Sequence, residues 1–184
     1  QVKSIEALGS IDVSKNSSNL DVDVALNEFN MRAFSPFGAD VITDIRGLVS
    51  GKAKVTGDYG SPEIRGRFSL ENSGLRVVEL NTDFEIENKA EIVVTKNKLE
   101  MGNVTITDSQ FKTKGTFFGN ATHENFSDWE LNLHIEAPER LLVLNTLPDD
   151  EALYYGTAFI SGSADILGPI DELVIDVTAT TEEG

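Results

Sequence analysis

Strict alternation of apolar and polar residues is the feature that most limits what this chain can fold into. Leu20-Asp-Val22-Asp-Val24-Ala-Leu26 puts every second side chain on one face, and Ile64-Arg-Gly66-Arg-Phe68-Ser-Leu70 does the same. Trp129-Glu-Leu131-Asn-Leu133-His-Ile135 and Leu173-Val-Ile175-Asp-Val177-Thr-Ala179 repeat the pattern. A period of two marks a strand with one dry and one wet face. Further strand-like runs are Ser4–Val13, Val49–Val55, Phe84–Ile86, Ala90–Val94, Val104–Thr107, Gln110–Phe118 and Ala158–Ile166, so about a dozen strands are expected. Turn-forming clusters separate them: Lys15-Asn-Ser-Ser-Asn19, Gly57-Asp-Tyr-Gly-Ser-Pro62, Glu71-Asn-Ser-Gly74, Lys96-Asn-Lys98 and Gly168-Pro169. Helical signals are few. Asn27–Phe34 and Pro36–Asp44 suit a turn or two, the latter with Ser35 as N-cap and Pro36 at the first position, and Pro148–Leu153 is a third short candidate. None is long enough to stand without tertiary support.

The alternating runs recur as a unit. Val49-Ser-Gly51-Lys-Ala53-Lys-Val55-Thr-Gly57 parallels Ile160-Ser-Gly162-Ser-Ala164-Asp-Ile166-Leu-Gly168, an offset of 162 − 51 = 111 residues. The same offset lays Leu20, Val22 and Val24 on Leu131, Leu133 and Ile135, so residues 20–57 and 131–168 are expected to be copies of one strand–turn–strand element. Tandem hairpins of this kind build an elongated sheet that grows by neighbour contacts. Glycine inside a strand marks a bulge or bend, and Gly51, Gly66, Gly115 and Gly162 all fall inside alternating runs. A wide sheet bent this often curls. Its wet face would carry Asp21, Asp23, Lys52, Lys54, Arg65, Arg67, Asp176 and Thr178. Its aliphatic face would either fill itself against a second sheet, as a β-sandwich, or line an open trough accessible to apolar ligands. Pattern alone does not separate these two.

Composition removes several function classes. The 184 residues carry 15 Lys and Arg against 31 Asp and Glu, a formal charge of −16, which opposes binding to nucleic acid or to anionic headgroups. Cysteine is absent, so thiol catalysis, zinc–thiolate sites and disulfides are excluded. The longest uninterrupted aliphatic run is Leu141–Leu144, far short of the roughly 20 residues a spanning helix needs, so no transmembrane segment is expected. The two histidines, His123 and His134, fit no metal or protease motif. His134 should lie on a polar strand face, and His123 near a loop. Carboxylates cluster at Asp21/Asp23 and at Asp149-Asp150-Glu151, where solvated acids explain them as well as a catalytic pair does. No nucleophile, base and orienting group assemble, so neither an enzyme nor a cofactor is expected. The chain begins at Gln1 and stops in mid-pattern at Glu182-Glu183-Gly184, so residues 1–184 are expected to form a single β-rich domain cut from a longer protein.

Gly47-Leu-Val-Ser-Gly51-Lys-Ala-Lys-Val-Thr-Gly57, then Ser61-Pro62-Glu-Ile-Arg-Gly66-Arg-Phe-Ser-Leu70, then Asn72-Ser-Gly74-Leu-Arg-Val77, resembles the TamB C-terminal domain family. Tyr154-Tyr155-Gly156-Thr-Ala-Phe-Ile-Ser-Gly162 through Gly168-Pro169 and Ala179-Thr-Thr181 is similar to a Bacteroidetes-type version of it. The resemblance implies a periplasmic segment of a Gram-negative protein anchored in the inner membrane and reaching the outer membrane. It also implies an AsmA-like fold, a curved, mostly antiparallel, taco-like sheet enclosing a hydrophobic groove. The implied roles are phospholipid passage between membranes and support of outer-membrane β-barrel assembly, with a barrel protein as partner of the full-length protein. On this reading the groove lining is Val22, Val24, Leu26, Val55, Ile64, Phe68, Leu70, Leu131, Leu133, Ile160, Ile166, Ile175 and Val177. The alternatives are a chaperone-like module that takes up barrel strands by β-augmentation, and a structural spacer.

Overall fold

The structure is a computed structural model that describes residues 4–14, 17–37, 42–146 and 155–182. The alternating runs pair into one antiparallel sheet of eleven strands. In chain order these are β1 (Ser4–Ser14), β2 (Ser17–Asn30), β3 (Ile42–Asp58), β4 (Ser61–Val77), β5 (Thr82–Ile86) and β6 (Ala90–Thr95). β7 (Lys98–Asp108), β8 (Lys114–Glu124), β9 (Ser127–Thr146), β10 (Gly156–Pro169) and β11 (Val174–Glu182) follow. Each strand pairs with its sequence neighbour, apart from one subdivided position. There β5 pairs with the far half of β4 (Ser73–Val77) and β6 with its near half (Gly66–Leu70), and both pair with β7. The sheet is therefore an up-and-down meander with β1 and β11 as its free edges. The expected all-β class and antiparallel pairing match this topology, and the described strands form no second sheet. No helix among the described residues is long and apolar enough to cross a membrane.

Several local readings need correction. Glu71-Asn-Ser-Gly74 is not a turn between strands; β4 runs straight through it. Asn72 adopts φ +49° there, and its N–H donates to Asn88 Oδ1 at 2.7 Å. The residue's tolerance of left-handed backbone is used inside the strand, at the point where β4 exchanges β6 for β5. Gln110 is likewise not strand: β8 starts at Lys114, because Asp108 gathers residues 110–113 into a turn. Asn27–Asn30 is strand, and the helical segment is a 3-10 helix, Met31–Phe37. Its cap is Asn30, whose Oδ1 accepts the Arg32 N–H at 3.0 Å, so Ser35 is interior and Pro36 sits near the end. Ile42–Asp44 belong to β3, while residues 38–41, the helix expected over Pro148–Leu153 and the Asp149-Asp150-Glu151 cluster lie outside the described residues.

Two buried clusters sit on the apolar face. One holds Val49, Leu70, Ala90 and Val104, with Leu26, Phe29, Met31, Phe68, Ile86, Ile92 and Met101 packed around them. The 3-10 helix contributes Met31 to this cluster, and Phe34 meets Phe29 edge-on at 6.0 Å. The other holds Ile106, Ala137 and Leu141, with Phe84, Phe117, Ile135, Val143 and Ile160 against it.

The β2–β3 and β9–β10 pairings coincide when one is shifted by 111 residues. Leu20 faces Gly57 as Leu131 faces Gly168, Val22 faces Val55 as Leu133 faces Ile166, and Leu26 faces Gly51 as Ala137 faces Gly162. In both hairpins the register slips just beyond that glycine. A Cβ on Gly51 would stand 2.2 Å from the Arg67 carbonyl oxygen, and one on Gly162 2.2 Å from that of Thr178, so neighbouring backbone closes in where a side chain would normally stand.

Candidate apolar binding face

Residues paired across antiparallel strands point to the same side, so the register fixes the composition of each face. One row runs Ile5, Leu26, Gly51, Phe68, Ile92, Met101, Gly119, Leu133, Ile166, Ile175, crossing the sheet from β1 to β11 without a polar residue. A second runs Ala7, Val24, Ala53, Gly66, Val94, Leu99, Ala121, Leu131, Gly168. Val22, Val55 and Ile64 extend the face on one side, and Val49–Leu70–Ala90 and Ile135–Ala164–Val177 on the other. Ile160 joins through its pair with Leu141.

All thirteen residues singled out in the sequence thus lie on one side of one sheet. They differ in cover. Leu70 is buried, at 1 % exposure. Val22, Val24, Leu26, Val55, Ile64, Phe68, Leu131, Leu133, Ile160 and Ile166 are half-buried. Ile175 and Val177 lie on the edge strand, 61 % and 57 % exposed. The expected lining left out Ile5, Ile92, Val94, Leu99, Met101 and Phe117, whereas Ile135 follows from the phase of its own alternating run. The short alternations Ala90-Glu-Ile92-Val-Val94 and Leu99-Glu-Met101 carried the signal, but each is too brief to fix its phase.

The opposite face is charged. Lys54 on β3 lies between Asp21 and Asp23 of β2, with its Nζ 3.1 Å from Asp23 Oδ2, and the two carboxylates raise its pKa. Cross-strand pairing to a lysine accounts for this acid pair without a catalytic role. Arg67 reaches Glu91 at 2.9 Å, and Arg46 grips Asp83 with two hydrogen bonds of 2.9 and 2.6 Å, tying β3 to β5. His134 lies on this polar side opposite Asp165. His123 ends β8 and is buried against Phe126 and Trp129, with ring centroids 4.6 Å away in each case. Its Nδ1 accepts the Phe126 N–H at 3.0 Å, and burial pushes its pKa down. Among the described residues no three His, Asp or Glu side chains converge as a metal site.

The sheet thus presents one broad apolar face, backed by a face rich in ion pairs. Residues 102–184 match the family model described as TamB C-terminal domain, which supports the resemblance carried by the strand motifs. The TamB family is a non-enzymatic component of the bacterial envelope associated with assembly and transport at the outer membrane. No curated protein and no solved structure matches the chain.

Proposed function

Taking the TamB-family assignment over residues 102–184 as the premise, we propose that this chain is a periplasmic segment of a protein anchored in the inner membrane, and that its apolar face lines a groove carrying phospholipid acyl chains toward the outer membrane. On this reading the lining is the set of thirteen residues named above, joined by Ile92, Leu99 and Met101. Residues 20–57 and 131–168 are repeats of one hairpin, and the chain is one unit of a longer groove.

The observation that carries the reading is the uninterrupted row from Ile5 to Ile175 on the only sheet among the described residues, its inner members half-buried and its two ends exposed. Residues in a filled sandwich would be covered by a facing layer. A tail of about 16 methylenes gains roughly 13 kcal/mol on leaving water, at about 0.8 kcal/mol each. Transfer from bilayer to groove changes that little, since both are apolar. The groove is therefore a path that removes the aqueous barrier, and direction must be imposed from elsewhere. Supporting outer-membrane protein assembly is the second part of the proposed role.

The test is phospholipid extraction and mass spectrometry on detergent-free protein, wild type beside Leu133→Asp. Bound phospholipid in the wild type, lost in a Leu133→Asp variant whose far-UV circular dichroism is unchanged, is expected. A folded Leu133→Asp protein that retains its lipid refutes the groove.

A second reading, uptake of β-strands, is favoured by one observation. The β1–β2 and β10–β11 pairings are regular over eleven and nine residue pairs, and no described strand pairs with the outer side of β1 or β11. Regular edges without a bulge are competent to add a strand. Lipid-free wild-type protein that binds alternating β-peptides would select this reading over the first.

A further inference from the structure

Charge is unevenly distributed along the chain. Residues 141–184 contain nine Asp and Glu and no Lys, Arg or His. The last hairpin, β10–β11, is built from this stretch. On its polar side Asp165 stands directly opposite Asp176, a like-charge cross-strand pair that weakens the attachment of the edge strand.

The cation that reaches this pair comes from β9. His134 is paired in register with Asp165, and its Nδ1 lies 2.6 Å from Asp165 Oδ1. Its Nε2 lies 3.6 Å from Glu136 Oε1 on its own strand. A neutral imidazole can donate from one nitrogen only, whereas the imidazolium donates toward both carboxylates. Among the described residues paired beside the ring there is no competing cation. From β8 the facing residue is Phe118, its ring 4.6 Å away, flanked by Thr116 and Asn120, with Lys114 further along the same side. On β9 itself the flanking residues are Asn132 and Glu136, with Glu130 beyond. On β10 Asp165 is flanked by Ser163 and Leu167, and on β11 Asp176 by Val174 and Thr178.

We infer that the His134–Asp165 contact is a proton-dependent tie on the edge hairpin, firm when the imidazole is charged and loosened when it is neutral. The inference does not depend on what occupies the apolar face. Its direction follows from linkage. The Asp165 hydrogen bond, and after it the charges of Asp165 and Glu136, raise the His134 pKa above the ordinary histidine value. The stabilisation is complete below about pH 6.5, the unfolded value, and is lost as pH rises through the folded one. Loosening would uncover Ala164 and Ile166 of β10, the apolar partners of the already exposed Val177 and Ile175.

The experiment is amide hydrogen exchange of the full chain between about pH 5.5 and about pH 8, corrected for intrinsic rates, with the imidazoles followed by NMR. Protection of the Val174–Glu182 amides should fall as His134 loses its proton, while β3 and β4 amides hold theirs. His134→Gln should show the alkaline level of β11 protection at both ends of the range. Asp176→Asn, which removes the repulsion and leaves His134 in place, should shrink the pH-dependent loss. β11 protection that stays flat through the His134 titration, or a pH-dependent loss that survives His134→Gln, overturns the inference.

Discussion

Replacing Asp108 with alanine should cost the sheet about 3 kcal/mol, more than any surface carboxylate can explain. Asp108 closes β7 and is fully buried. Its Oδ1 accepts the N–H groups of Gln110 at 3.0 Å and Phe111 at 2.6 Å. Its Oδ2 accepts the Thr113 N–H at 2.6 Å and the Thr113 hydroxyl. That hydroxyl oxygen in turn accepts the Leu142 N–H of β9 at 2.9 Å, so one carboxylate shapes the β7–β8 turn and secures it to the next strand. Alanine leaves three backbone donors without their acceptor. A buried orphan costs about 1–3 kcal/mol, and water can reach Gln110 and Phe111, so the low end applies, about 1 kcal/mol for each donor. The sum is a large share of the 5–15 kcal/mol typical of a whole domain. Burial alone would raise the Asp108 pKa, but the Thr113 hydroxyl and the three N–H donors outweigh it, and the net shift is downward. A depressed carboxylate contributes stability that is complete above its unfolded value, about 3.9, and lost as pH falls through the lower folded one. Equilibrium urea unfolding followed by far-UV circular dichroism reads both effects. An Asp108→Ala protein within about 1 kcal/mol of wild type at neutral pH, or one whose acid sensitivity is unchanged, would refute the reasoning.

Gly162→Val should destabilise β10–β11 by about 2–4 kcal/mol, because φ is +143° and the new Cβ would meet backbone at 2.2 Å; urea midpoints and exchange at β11 measure it. Leu70→Ala should cost about 2–5 kcal/mol in the same unfolding assay, whereas Ile175→Ala, on the exposed edge of the same face, should stay within about 0.5 kcal/mol. Equal losses for Leu70 and Ile175 would mean that the edge strand is covered in solution.

Much of this fold was legible because a single rule, the period of two, governs nearly every strand. Once the phase of Leu20–Leu26 or Leu131–Ile135 is fixed, every side chain in that strand is assigned to a face, and the register carries the assignment across the sheet. Depth was not legible in the same way. Leu70 and Val177 read alike in sequence, yet one packs between β3 and β6 and the other lies on an edge, a difference set by strand order rather than by local pattern. Asn72 and Ser35 carry turn or cap signals, but such residues serve bulges and interior positions equally well when tertiary pairing demands it, whereas Gln110 is the reverse case, read as strand and drawn into a turn by Asp108. Asp108 went unnoticed for the converse reason: Asp-Ser-Gln is ordinary turn composition, and what makes its carboxylate important is Leu142, whose N–H reaches Thr113 from a strand distant in sequence.

The strand glycines gather on the apolar side of the sheet. Gly9, Gly51, Gly66, Gly115, Gly119 and Gly162 all pair with residues of the apolar face. Bending a sheet crowds the side chains on its inner face and spreads those on its outer face, so the inner face must give up volume. Here it does so beside its largest members. A Cβ on Gly51 would collide with the Phe68 ring at 2.6 Å, and one on Gly115 with the Leu141 side chain at 2.9 Å. The bulky neighbour leans over the missing side chain, which is how a glycine bend is filled in a curved sheet. Substituting Ala at these positions would therefore force neighbouring backbone or side chains to shift. Small residues are thus placed on a single side of a long meander, beside the largest members of its apolar face.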